Sequence, residues 1–473
     1  MMTVPRYLLA LYATHFLLCA LAAHGQVSTW QYQYDANGNL AQTRDPLGNI
    51  TVQEWDNFNR LVRTQQPAPV SGAARPVISY SYDGRGQLTS VTDPRNLSTT
   101  YTVSGLGDTT ARTSPDTGTT TNSYDEAGNL KTSTDANGQS TSRFYDALNR
   151  LTRMTYSDGS VASLTYDQGG NGIGRLTTIE DGSGKTEYNY DQQGNLLLQT
   201  QTINAVRYAT SYSYDAAGRL LSMTYPSGRQ LIYQYDALGQ LSQINTTKDG
   251  ETSTVVSQIT YRSFGDVASF VNGANRTVSR TRNLDGQMDS YTLGSRSYAI
   301  SNNAAGQPIS IAELANSANV QRYGYDNLGR LNQASSIGGA QSFSHDASGN
   351  RTGKVVGSAM TNYAIAPASN RITQASGAQN VTYSSDANGS IVGSAAGQFA
   401  YDARGRMKST QTALGNVQYK VNALGQRVSK TVQGTTTVFH YDPEGKLIGE
   451  TIESSNRWTD YVYLGDMPVA LFK

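Results

Sequence analysis

The chain has 473 residues, 37% of them apolar, 46 of them glycine and only 15% charged. Its net charge is +1 with no long run of one sign, which excludes the basic face a nucleic-acid binder needs. Cys19 is the only cysteine, which excludes an intrachain disulfide framework, and 31 tyrosines against 9 phenylalanines ask for an explanation of their own.

Residues 1–25 read as a secretory signal. One arginine, Arg6, precedes the apolar run LLALYATHFLLCALA, and Ala20-Leu21-Ala22 is a small-x-small cleavage pattern, with Gly25/Gln26 a second cut. The run is short for a membrane span, and no other stretch is long enough. The competing reading is an uncleaved anchor helix. Removal of the signal predicts a secreted, periplasmic or cell-surface protein with no cysteine and no membrane span in the mature chain.

From there the chain repeats one unit. Trp30, Tyr32 and Tyr34 alternate into Asp35-Ala-Asn-Gly38-Asn-Leu40; Asp45-Pro-Leu-Gly48 is a half-unit, and Trp55-Asp56-Asn-Phe-Asn59 a worn copy with Asn in place of Gly. Residues 65–76 (QQPAPVSGAARP) form a loop, after which the unit resumes at Tyr82-Asp83 and Gly86. Tyr-Asp pairs follow at Tyr124-Asp125, Tyr145-Asp146, Tyr166-Asp167, Tyr190-Asp191, Tyr214-Asp215 and Tyr235-Asp236, at steps of 21, 21, 24, 24 and 21 residues. The mark fades over 245–320, returns at Tyr325-Asp326, weakens again over 353–400, and recurs at Tyr401-Asp402 and Tyr441-Asp442. Residues 26–473 therefore read as one array, with no linker that would separate two folds.

Each unit has a physical reading. Residues alternating at period 2 and rich in tyrosine predict a half-buried strand. Aspartate first and glycine fourth predict a type I turn. The Asp side chain can cap a backbone N–H two residues on, and the glycine can take positive φ. Such a turn followed by a left-handed residue leads into a hairpin with a bulge. The turn pairs are Asp35 with Gly38, Asp83 with Gly86, Asp125 with Gly128, Asp191 with Gly194, Asp215 with Gly218, Asp236 with Gly239, Asp326 with Gly329, Asp402 with Gly405 and Asp442 with Gly445. After the glycine, Arg219 and Leu220 open the return strand, and a looser turn at Tyr225-Pro-Ser-Gly228 closes it. The expected fold is all-β, a succession of antiparallel hairpins, with Tyr34, Tyr82, Tyr124, Tyr145, Tyr166, Tyr190, Tyr214, Tyr235, Tyr325, Tyr401 and Tyr441 as structural ladders between neighbouring strands.

Chemistry is harder to place. Calcium loops fail on spacing: an EF-hand wants Gly at the sixth position, whereas Asp35-Ala-Asn-Gly38 has it at the fourth. Residues 169–174 (GGNGIG) place Gly where the calcium roll needs Asp. A signal cut after Gly25 leaves two histidines, His345 and His440, each at or beside the Tyr-Asp position, where a ring packs on the sheet. No HExxH, Gly-x-Ser-x-Gly or phosphate loop occurs. The expectation is no catalytic residue, no metal and no cofactor. Tyrosines beside Asn and Gln leave glycan binding as the main competitor to a purely structural role.

These YDxxGxL units resemble the YD repeats of the Rhs family, related to arrays in the shell components of Tc toxins and in teneurins. The resemblance covers roughly residues 30–470, and the ending Tyr461-Val-Tyr-Leu-Gly-Asp-Met-Pro-Val-Ala-Leu-Phe472 looks like the approach to the Rhs-associated core. It implies a continuous antiparallel sheet that spirals into a hollow shell and, in long members, encloses a C-terminal toxin. The departure is at Lys473: no core, cleavage aspartate or toxin tip follows, and the DPxG string at Asp442 sits in register as an ordinary turn. The expectation is a partial or open shell. Its partner would be a separately encoded toxin or core or, on the competing reading, glycans.

Overall fold

A computed structural model describes residues 29–473 except Phe264 and Leu414. The signal expected over 1–25 lies outside the described residues. Every consecutive pair of strands from Gln31–Tyr34 to Val381–Thr382 is antiparallel and hydrogen-bonded, giving one meander of 33 strands. A second meander of 10 strands runs from Ser384–Ser385 to Met467–Phe472. Only Tyr383 separates the two, and its N–H still bonds the Thr373 carbonyl at 2.9 Å. The one helical turn among the described residues is Glu453–Ser455; no helix there is long and apolar enough to cross a membrane.

Strand length follows the sequence unit. Most strands have 5 to 7 residues, as at Leu220–Thr224 and Gln230–Tyr235. The motif fades between 245 and 320, but the sheet does not: strands there reach 11 residues at Glu251–Tyr261. In the other weak stretch, Arg351–Val356, Ala359–Ile365 and Ile372–Gly377 keep ordinary length, and only the pieces around Tyr383 shrink to 2 residues. Alternation is direct in strands such as Ser98–Val103, where exposed Ser98, Thr100 and Thr102 face away from Tyr101 and Val103.

The sheet is thin at first. Among the described residues before Tyr156, Pro76 is the only one buried. A core forms only where the chain folds back on itself: Met223, Tyr225, Leu231, Ile244, Val256 and Phe270 of the first pass meet Ile448, Val462 and Leu464 of the last strands. A second cluster joins Ile203 and Tyr208 to Val428 and Val438, with Trp458 against it.

Hydrogen bonds between residues far apart in the chain trace the coil. Asn327 donates to Ala68, 259 residues away; Asn370 to Asp116, 254 away; Asn388 to Asp135, 253 away; and Arg229 to Asp460, 231 away. Arg280 reaches Met467 across only 187. The turn of the spiral thus shortens toward the C-terminus, so the last strands close in over residues 203–270 and supply the core. The sheet remains open, with the strand Gln31–Tyr34 exposed along its length.

Candidate functional site

The repeated corner has one geometry. In all nine Asp and Gly pairs named above, the glycine N–H bonds the Asp carbonyl at 2.9–3.1 Å and the Asp N–H bonds the carbonyl of the fourth residue on at 2.8–3.0 Å. That is a type I turn closed by a bulge, and the strand register shifts there, as between Ser213 and Tyr214. The expected positive φ is present at Gly38, Gly86, Gly128, Gly194, Gly218, Gly239, Gly329, Gly405 and Gly445, from +72° at Gly405 to +91° at Gly194. No Asp carboxylate is needed to impose it: the same corner forms with Asn283 and Gly286 and with Asn303 and Gly306, where the motif has faded. Arg219 lies in the corner rather than on the return strand, which opens at Leu220.

The aspartate side chain fastens the corner twice. In Asp215, Oδ1 accepts the N–H groups of Ala217 and Arg219 at 2.9 Å, and Oδ2 accepts Arg219 Nε at 2.7 Å. In Asp35, Asp125 and Asp191, an asparagine takes the place of the arginine at Oδ2. These donors hold the carboxyls below the usual range: the Arg219 N–H is the leading cause at Asp215, and the asparagine amides at the other three. Asp442 shifts the other way, raised by burial. Its corner with Gly445 is the same, with the Lys446 N–H on Oδ1 at 2.7 Å.

The tyrosines bind one repeat to the one before. Tyr145 hydroxyl donates to the Leu130 carbonyl at 3.0 Å, Tyr166 to Leu151 at 3.1 Å and Tyr235 to Leu220 at 2.9 Å. Tyr82, Tyr124, Tyr190, Tyr325, Tyr401 and Tyr441 do the same to the residue in that place. Among the described residues, Tyr34, in the first strand, and Tyr214 show no such bond. Arg150 and Arg219 then lay their guanidinium groups over the next tyrosine, Tyr166 at 4.4 Å and Tyr235 at 4.7 Å. The worn copies keep the link by other chemistry: Trp55 indole N–H donates to the Leu40 carbonyl and the Asn302 amide to Met288. Sequence reasoning passed over that equivalence, and also the residue four after each aspartate. A recurring Arg or Asn at that place was the available signal.

Along the seam, turns of the second coil dock on the turns that close each unit of the first; these are no looser than the Asp corners, since Asp93 with Asn96 and Tyr225 with Gly228 make the same two closing bonds. Asp93 Oδ2 accepts Ser348 and Asn370, Arg95 donates to the Ser369 and Ala366 carbonyls, and Asp181 accepts the Ala423 N–H. A cavity of about 260 Å³ lies on this seam, lined by Tyr156, Asp181, Asp402, Arg404 and Lys420. Arg404 crosses it to the Asn422 and Ala423 carbonyls and stacks on Tyr156 at 5.2 Å. Lys420 donates to Asn204 at 2.8 Å. His440 is fully buried, 4.7 Å from the Tyr208 ring and 5.3 Å from Trp458, with Nε2 on Thr451 at 2.9 Å. Burial pushes its pKa down to about 3, so it stays neutral. His345 ends a different strand, Gly339–His345, and the described residues hold no group of three that could ligate a metal.

The family described as RHS Repeat matches at residues 22–50, 34–69, 124–161, 197–230 and 214–252. The crystal structure of TcdB2-TccC3 superposes with a TM-score of 0.75 at 15% identity, covering 93% of this chain and 28% of that one. The crystal structure of TcdB2-TccC3-Cdc42 gives 0.75 at 16%, covering 92% and 28%. The Tc holotoxin pore of Photorhabdus luminescens with a TccC3 mutation gives 0.75 at 15%, covering 92% and 27%. This chain therefore spans little more than a quarter of the solved chains it matches, and the likeness is one of fold. No curated protein sequence matches it.

Proposed function

Because this chain is an RHS-repeat protein with the fold of the Tc-toxin β-shell, we propose that it acts as an exported structural shell that encloses or docks a toxin polypeptide in intercellular competition, and performs no reaction itself. The observation that carries the reading is the seam: a meander of strands that returns onto its own turns after about one coil makes a wall. The aspartates cap corners and the tyrosines tie repeats, so the recurrent residues are already spent on building that wall.

Glycan binding is the alternative role. Nine of the eleven ladder tyrosines donate their hydroxyls to backbone carbonyls and so have no donor left for a sugar. A glycan array on the mature chain tests it, and repeated binding to one sugar class would favour it over the shell. The shell reading is tested by electron cryomicroscopy and mass spectrometry of the protein recovered from the culture fluid of its own cells. A polypeptide seated against the concave sheet is expected, with an N-terminus at Gln26 on the shell. An empty trough with no associated polypeptide contradicts it.

A further inference from the structure

Three turns of this chain have the same sequence, Asp-Ala-Asn-Gly, at 35–38, 135–138 and 386–389. Two of them clasp each other across the seam. The Ala136 N–H donates to Asn388 Oδ1 at 3.0 Å and Asn388 Nδ2 to Asp135 Oδ2 at 2.6 Å. Reciprocally, the Ala387 N–H donates to Asn137 Oδ1 at 3.1 Å and Asn137 Nδ2 to Asp386 Oδ2 at 2.9 Å. Identical turns making identical bonds in both directions form a local two-fold contact, so the motif is complementary to itself.

The third turn has the same backbone: the Gly38 N–H bonds the Asp35 carbonyl at 3.1 Å, and φ of Gly38 is +86°, the value at Gly389. Ala36 and Asn37 are exposed, and among the described residues neither the Ala36 N–H nor the Asn37 side chain has a partner. Asp35 Oδ2 accepts Asn39 at 2.9 Å and keeps a second lone pair. Beside the turn stand Tyr34 and Phe58, exposed by 63 and 78%. Asn39 also donates to Asn59 at 2.8 Å, which holds the two neighbouring corners in register.

We propose that this corner binds a second copy of the chain, two-fold, with the turn 35–38 clasping its own equivalent and the aromatic side chains packed beside it. Head-to-tail stacking is the alternative arrangement of two copies, and rim chemistry opposes it. The rim of the first coil that carries Asp93, Asp116, Asp135 and Asp181 is already covered by the second coil. The far rim turns through 336–339 (SIGG), 356–359 (VGSA) and 394–397 (SAAG), which offer no carboxylate. A two-fold contact closes on itself, so the product is a dimer rather than a filament. The inference stands apart from the question of cargo.

The test is sedimentation velocity on the full chain from low to high micromolar concentration. A monomer–dimer equilibrium is expected, weakened at least about tenfold by Asn37→Asp, which replaces two symmetric amide donors with carboxylates facing carboxylates. Ala36→Pro is the second variant. Proline fits the second position of this turn, as at Asp45-Pro46 and Asp93-Pro94, and it removes only the N–H, so the dimer is expected to weaken without loss of the circular-dichroism signal. A monomer at every concentration, or a dimer whose dissociation constant either variant leaves unchanged, overturns the proposal.

Discussion

Arg229 and Asp460 are 231 residues apart in the chain, and Nε of one lies 3.0 Å from Oδ2 of the other. Ser227 donates to the same oxygen at 2.8 Å, while Asp460 Oδ1 has no hydrogen-bond partner among the described residues, and the carboxylate side chain is 3% exposed. The guanidinium also covers Phe472 at 4.0 Å. Replacing it strands a buried charge, which costs more than the pair itself contributes. Arg229→Met is expected to destabilise the protein by about 3–5 kcal/mol in urea melts, with the strands Arg457–Leu464 and Met467–Phe472 first to gain proteolytic sensitivity.

The ladder offers a matched pair of substitutions. Tyr235→Phe removes the hydroxyl that bonds the Leu220 carbonyl and is expected to cost about 1 kcal/mol. Tyr34→Phe, where no described group accepts that hydroxyl, is expected to leave the melt unchanged. Equal effects at the two positions would show that the ring, not the hydrogen bond, carries the contribution.

Gly218 tests the corner. A Cβ there would meet only Asn195 Oδ1 at 3.8 Å, so space is available and the obstacle is φ of +77°. Valine resists that conformation, and Gly218→Val is expected to lose about 2 kcal/mol. Gly218→Asn is expected to lose less, since Asn59 and Asn149 already hold φ of 59° in the same place in their own turns. The same order is expected at Gly239.

His440 predicts the acid limb of stability. Burial lowers its pKa to about 3 in the folded chain, against about 6.5 when unfolded. The unfolded state therefore takes up the proton first, and stability contributed by the neutral ring is full above pH ~6.5 and declines as pH falls toward ~3. Capped aspartates such as Asp215 add a loss that begins lower, as pH falls below the unfolded carboxyl value of about 3.9. His440→Phe is expected to flatten the limb between those two values while leaving the carboxyl step in place. An unchanged profile would show that His440 is not its source.

The corner was legible because it is local: Asp215, Gly218 and the capped N–H of Ala217 lie within four consecutive residues. The role of Tyr235 was half legible. A constant step marked it as a ladder, but its acceptor, the carbonyl of Leu220, belongs to a backbone that sequence pattern does not single out. The seam was not legible at all. Asp93, Arg95 and Asn370 sit in turns of ordinary composition and Asp460 in the strand Arg457–Leu464, and the register that brings each to its partner is set by how tightly the coil winds. The twice-used Asp-Ala-Asn-Gly of 135–138 and 386–389 was the one trace of it in the sequence. His440 shows the same limit: its place beside a tyrosine was visible, but the stack of Tyr208 and Trp458 that keeps it neutral arrives from two other strands.

The central claim, that the second coil rests on the first, is tested most directly by a double-mutant cycle on Arg229→Ala and Asp460→Ala in urea unfolding. Coils in contact predict a coupling above about 1.5 kcal/mol between residues so distant in the chain. Effects that add to within about 0.5 kcal/mol would contradict it.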